Sequence, residues 1–216
     1  IGKITLCVLV FLLCNGIRAG ETQSVPHATP LLAMIHVPAG RFQRDAKPNN
    51  ISTVAAFWIS ALEVTRAQYS RVSGRPDPSS RLSASMDGDH PVQNIRWFDA
   101  VYFSNKLSLL EGLTPVYQVG AESNPDAWPQ SGPEAKTWRE LSVNWQANGY
   151  RLPSEMEGRW AAMGADRGQM DAARQGYRLA YSGAEQGRSK EGSVGCAFSA
   201  QGTSQRVGSK QPNALG

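Results

Sequence analysis

Few side chains in this sequence have the types needed for catalysis, and their spacing argues against that use for most of them. Glu155 and Glu157 form a carboxylate pair, the raw material of general acid and base work. Positions two apart on a helix do not face each other, however, so capping and ion pairing account for both. His27, His36 and His90 are scattered, with no convergent partner, and each reads as a surface or hydrogen-bonded imidazole. Tryptophan offers more. Trp97 and Trp160 fall on helix faces expected to be core, which leaves Trp128, Trp138 and Trp145, near loops, as candidates to line a sugar or peptide groove. No residue is assigned as catalytic, cofactor-binding or metal-ligating.

Cysteine usage narrows the chemistry further. Of the three cysteines, Cys7 and Cys14 lie in the first 19 residues, so the rest of the chain keeps only Cys196. That excludes an internal disulfide or a CxxC metal site in the mature segment, and favours a buried structural thiol. Lys3, the apolar run Ile4 to Leu13 and the small residues ending at Ala19 have the three regions of a secretory signal, too short for a membrane span. The pattern favours cleavage near Ala19 over acylation at Cys14, because Leu13 stands where a small residue is expected. An exported product, periplasmic, cell-surface or secreted, is the expectation. Removing residues 1–19 takes away Lys3 and Arg18, leaving 20 basic against 18 acidic residues. No basic cluster remains that would argue for nucleic acid.

The elements that must position these side chains are short. Residues 1–19 read as the signal, 20–33 as a polar, proline-bearing linker, and 34–216 as one domain. Met34 to Phe42 reads as a hairpin joined at Pro38 to Gly40, and Ala56 to Ser60 as a strand. Thr65 and Gln68 make a capping box that opens a helix closed by Gly74. Residues 75–89 form an exposed loop rich in Ser, Pro and Asp. Ala100, Phe103, Leu107 and Leu110 repeat on one helix face that Gly112 stops. A further loop spans 124–133, and Leu141 to Trp145 is expected to pair with Tyr150 to Leu152 through Gln146 to Gly149. Pro153 then ends that strand, and Ser154 with Glu157 caps a helix whose Met156, Trp160 and Met163 point inward. Glu155 and Arg159 are an i,i+4 pair on its other face. Gly158 inside this helix costs roughly 1 kcal/mol against Ala, so it is either tolerated for close packing or marks a helix that relies on tertiary contacts. Residues 176–183 are strand-like.

Several of these blocks resemble one family. Arg151, Leu152, Pro153, Glu155, Glu157, Ala161, Ala162 and Gly164 fall on the Arg-Leu-Pro-Thr-Glu-Ala-Glu-Trp-Glu-Tyr-Ala-Ala-Arg-Gly signature of the formylglycine-generating enzymes, or sulfatase-modifying factors, with Gly158 in place of a Trp. The run from His90 to Ala100, the Leu113 to Tyr117 segment, the Glu63-Val64-Thr65 and Gln68-Tyr69 succession, and the Val207 to Gly216 stretch are similar to further family motifs in the same order.

The resemblance implies an α+β fold related to C-type lectins, with short strands and helices and long loops. In active members it implies oxidation of a target sulfatase's cysteine to formylglycine by oxygen and a copper ion held by two thiolates. Those cysteines lie beyond the part of the domain matched here, so copper is expected only if the full-length protein carries them, and this chain is read as a truncated domain. The family's calcium site uses an Asn and an Asp that residues 182–207 lack. Two functions therefore stand: a sulfatase-type peptide oxidase when full length, or a non-catalytic lectin-like module binding a surface ligand through loops 75–89 and 120–136. An inactive fragment is the third possibility.

Overall fold

The computed structural model describes residues 13–14, 31–45, 47, 49–81, 87–129, 136–165, 179–181, 184–185, 204–209, 212–213 and 215. Strands β1 (Leu13–Cys14), β2 (Met34–Val37), β3 (Gly40–Gln43), β4 (Ile51–Val54) and β5 (Phe57–Ser60) come first. Helices α1 (Arg66–Ser73) and α2 (Trp97–Leu110) follow, then β6 (Tyr117–Val119), β7 (Leu141–Val143), β8 (Tyr150–Arg151), α3 (Glu155–Ala162), β9 (Leu179–Tyr181) and β10 (Ala184–Glu185).

One antiparallel sheet of order β2-β5-β1-β8 divides the core in two. Side chains alternate across a strand, so Phe57 and Ile59 of β5, with Val37 of β2, point to one face and meet Phe42, Val54 and Trp160. Met34 and Tyr150 join the core on the other face, with Tyr69 and Val72 of α1 and Phe103 and Leu107 of α2. A third cluster forms beneath the β6-β7 ribbon, where Val101 and Tyr102 of α2 pack with Val116, Val119 and Trp128.

The helices begin where the capping residues direct. Thr65 and Ser154 each accept from the backbone N–H three residues on, while the Gln68 and Glu157 side chains return the bond. Gly74 takes the left-handed conformation that ends α1, φ 66°. Met156, Trp160 and Met163 do face the core. Gly158 is not explained by close packing, since a Cβ there would meet nothing within 4 Å.

Four expectations are corrected. β2 and β3 are not a hairpin: β2 pairs with β5 and β3 with β4. Between them the chain passes under Trp160, whose indole N–H donates to the Pro38 carbonyl at 2.8 Å, and a Cβ on Gly40 would lie 2.2 Å from the ring. β7 pairs with β6 rather than with β8. β8 is drawn instead onto α2, where the Tyr150 N–H donates to Ser108 Oγ and its hydroxyl to buried Glu111. Trp97 is 43% exposed because it precedes the part of α2 that enters the core at Ala100. Leu110, at the far end of the same helix, is also exposed, for α2 is clasped by two clusters only between Ala100 and Ser108.

The tail of the segment read as a linker belongs to the core. Leu32 is buried, and the Leu31 N–H donates to Glu111 at 2.9 Å. His27 and Cys196 lie outside the described residues, as does most of the calcium region of residues 182–207.

Candidate functional site: an aromatic face on α2

Two loops distant in sequence converge on the outer side of α2. The first leaves α1 at Gly74 and brings the Arg75 guanidinium over the Tyr102 ring, 3.7 Å from its centroid, with Asp99 accepting from the same guanidinium at 3.3 Å. The second is fastened from below by buried Asn105. Its amide donates to the carbonyls of Tyr117 and Ser123 at 2.7 and 2.8 Å, and its carbonyl accepts from the Tyr117 N–H at 3.1 Å. Three satisfied bonds at one buried side chain fix the loop to the helix.

On that loop Asn124 caps a short 3-10 turn, Pro125–Ala127, and Asp126 then bridges to α2. It accepts from the Tyr102 hydroxyl at 2.6 Å and from Lys106 at 2.7 Å. These two bonds hold the Asp126 carboxyl below the ordinary carboxylate range, whereas burial and then the bond to Asp126 push the Tyr102 hydroxyl up to about 12. Tyr102 therefore stays a neutral donor at physiological pH and is unsuited to act as a base.

A continuous run of edge-to-face rings results. Trp97 meets Phe98 with centroids 5.1 Å apart, Phe98 meets Trp138 at 4.6 Å, Trp138 meets Trp128 at 5.5 Å, and Trp128 meets Tyr102 at 6.5 Å. Trp128 is the floor, buried, with its indole N–H donating to the Glu122 carbonyl at 2.9 Å. Trp138 is half-buried and Trp97 forms the exposed lip, beside Arg96 and Asp99.

Of the three tryptophans singled out from sequence, Trp128 and Trp138 thus come together and Trp145 does not join them. Trp145 is 64% exposed and stands over Arg151, 5.4 Å from its guanidinium, on the turn before β8. Sequence reasoning missed Trp97, Phe98 and Tyr102. The signal available was three aromatic residues within the first six positions of α2, more than one core-facing stripe accommodates.

The remaining candidates are structural. His36 packs edge-on against Trp58, and His90 pairs with Asp87 at 2.8 Å. Glu157 is held by Arg151 in a two-pronged ion pair at 2.7 and 2.9 Å. Burial pushes the Glu157 carboxyl up, but the bonds from Arg151 and Ser154 outweigh it and leave the group below its ordinary value. Glu63, by contrast, is pushed up to about 7 by burial alone. Among the described residues no three His, Cys, Asp or Glu side chains gather as metal ligands, and Cys14 is the only cysteine.

A family profile for the sulfatase-modifying factor enzyme 1-like domain matches residues 20–216. The chain belongs to this family. Among curated proteins it is similar to chaperone protein LppX of Paenibacillus barcinonensis, 28% identical over 164 residues. That alignment covers 74% of this chain and 56% of the relative, so the chain spans little more than half that protein's length. Among solved structures it resembles CarF, with a TM-score of 0.59 and 28% identity over 85% of this chain and 75% of that one. It also resembles variable protein 1 of Treponema denticola, with a TM-score of 0.55 and 26% identity over 90% of this chain and 70% of that one. The sulfatase-modifying factor fold accounts for the small sheets, the short helices and the long loops that carry the aromatic face. No helix among the described residues is long and apolar enough to cross a membrane.

Proposed function

We propose that this chain is a non-catalytic, polypeptide-binding member of the sulfatase-modifying factor family, exported from the cytoplasm, with its ligand resting on the aromatic face of α2. The observation that carries the reading is the ring run from buried Trp128 to exposed Trp97, fixed by Asn105 and Asp126 and left uncovered at its outer end. Rigid aromatic rings offer large contact area at little cost in side-chain entropy, and flanking Arg96, Asp99 and Lys106 can meet peptide carbonyls and amides. A relative named as a chaperone protein supports a polypeptide as the ligand class. Export is supported by the basic, apolar and small-residue succession from Lys3 to Ala19.

The test is binding of a fluorescein-labelled extended peptide rich in Phe, Tyr and Leu, followed by anisotropy. Trp97→Ala should weaken binding about tenfold or more while leaving the melting temperature nearly unchanged, since the exposed outer ring of the run would lose its contact area with the peptide. Unchanged affinity in Trp97→Ala and Trp138→Ala would reject the face as the site. Cysteine oxidation is a second reading, favoured by family membership. It requires a thiolate pair, and Cys196 is the single cysteine of residues 20–216. Loss of a peptide thiol with gain of an aldehyde, observed by mass on incubation of the full-length protein with copper and oxygen, would establish it.

A further inference from the structure

Beside its rings, the aromatic face of α2 carries a pattern of hydrogen-bonding groups. At the exposed end of the run the Asp99 carboxylate is already full. It accepts from the Arg96 backbone N–H and Nε at 3.0 Å each, and from Arg96 Nη2 and Arg75 Nη1 at 3.3 Å each. A carboxylate has about four acceptor sites, so Asp99 has none left for a ligand. The donors are far from spent. Arg96, whose side chain is 64% exposed, commits two of its five side-chain N–H groups among the described residues, both to Asp99. Lys106 commits one of its three, to Asp126 at the other end of the run.

A ligand that rests here therefore meets spare donors beside a saturated acceptor. A peptide in a strand conformation presents N–H groups as well as carbonyls, and its donors would go unmatched at Asp99. A proline-rich segment brings the complement. Proline has no N–H, and the polyproline II helix makes no internal hydrogen bonds, so every carbonyl is open to a donor.

The ring spacing accommodates the same conformation. Phe98 lies 5.1 Å from Trp97 and 4.6 Å from Trp138 between centroids, edge to face in both cases, so the two indoles stand within about 10 Å of each other, and one three-residue turn of polyproline II advances about 9 Å. Prolines three apart can thus reach both indoles. Trp97 is exposed and Phe98 and Trp138 are half-buried, which leaves ring surface for contact. A helix of this kind is pre-formed and loses little entropy on docking against aromatic side chains.

We propose that the aromatic face takes a proline-rich segment in the polyproline II conformation, with prolines packed on Trp97 and Trp138 and with Arg96, and Lys106 further along α2, donating to its carbonyls. This names the ligand of the polypeptide-binding reading and rests on that reading.

Three fluorescein-labelled peptides, compared by anisotropy on the full chain, test it: a Pro-x-x-Pro repeat with Ser and Ala at x, the same peptide with every Pro replaced by Ala, and the Phe-, Tyr- and Leu-rich peptide. The first should bind about tenfold tighter than either of the others. Arg96→Met keeps the apolar stem and removes the donors, and should weaken the proline-rich peptide about fivefold with little change in melting temperature. Equal affinity for the proline-rich peptide and its alanine counterpart would overturn the proposal, a comparison that needs no variant to fold. Trp97-dependent binding of the Phe-, Tyr- and Leu-rich peptide, with the proline-rich one no tighter, would overturn it and leave the polypeptide reading standing. Binding of neither would reject both.

Discussion

At the scale of single residues, the two perturbed glutamates act on stability in opposite directions. Glu157 is ionised and paired with Arg151, whose side chain is 7% exposed, so removing the partner strands a carboxylate in a half-buried site. Arg151→Ala should cost on the order of 3 kcal/mol, measured by urea unfolding at pH 7. Glu63 is half-buried without a compensating charge, and its carboxyl is raised to about 7. Its folded value lies above its unfolded one, so from about pH 4.5 to 7 the unfolded state releases its proton first and the native state is penalised as pH rises. Glu63→Gln removes that penalty. It should stabilise the protein at pH 8 by roughly 1–3 kcal/mol and leave stability at pH 4 nearly unchanged. A pH-independent gain would mean that Glu63 is not the group responsible.

Among the elements, α3 shows most directly how local rules and packing divide the work. Its start is fixed by the reciprocal bonds of Ser154 and Glu157, and Ser154→Ala should cost about 1 kcal/mol. Its middle carries Gly158, where an added Cβ meets open space, so Gly158→Ala should stabilise by about 0.5–1 kcal/mol. Opposite signs for two neighbouring substitutions, read from thermal melts of both variants, would be hard to obtain by any route other than the one described. At Gly149, by contrast, a Cβ would lie 2.3 Å from the Thr114 carbonyl and 2.6 Å from Ser108 Oγ. The same substitution there should be strongly destabilising, because backbone cannot give way as a flexible side chain can.

For the molecule as a whole, the sheet couples cores that would otherwise be separate. Ile59 and Trp160 lie on one side, and Tyr150 and Phe103 on the other, with β2 contributing Val37 to the first and Met34 to the second. Trp160 is 1% exposed, stacks on Phe42 with centroids 5.5 Å apart, and covers Gly40. Trp160→Ala should cost about 3–5 kcal/mol and lower the stability of both clusters together, giving one transition by far-UV and near-UV circular dichroism alike. Two separated transitions would show that the faces unfold independently.

What the sequence determined by itself was local. Thr65, Gln68 and Gly74 mark α1, Ser154 and Glu157 open α3, and Met156, Trp160 and Met163 define its inner face, because capping and helical periodicity depend on residues a few positions apart. The motif order carried the family for a related reason, since linked blocks at compatible spacing survive without knowledge of contacts. Pairing partners were decided by tertiary structure alone. β2 and β3 lie close in sequence yet join different sheets, because Trp160, 120 residues beyond Gly40, occupies the space where their turn would close. The aromatic face belongs to the same class. Trp97 reads as core from its spacing to Ala100, and is exposed because the clusters that clasp α2 begin one turn later, a boundary set by segments from Val116 to Ala147.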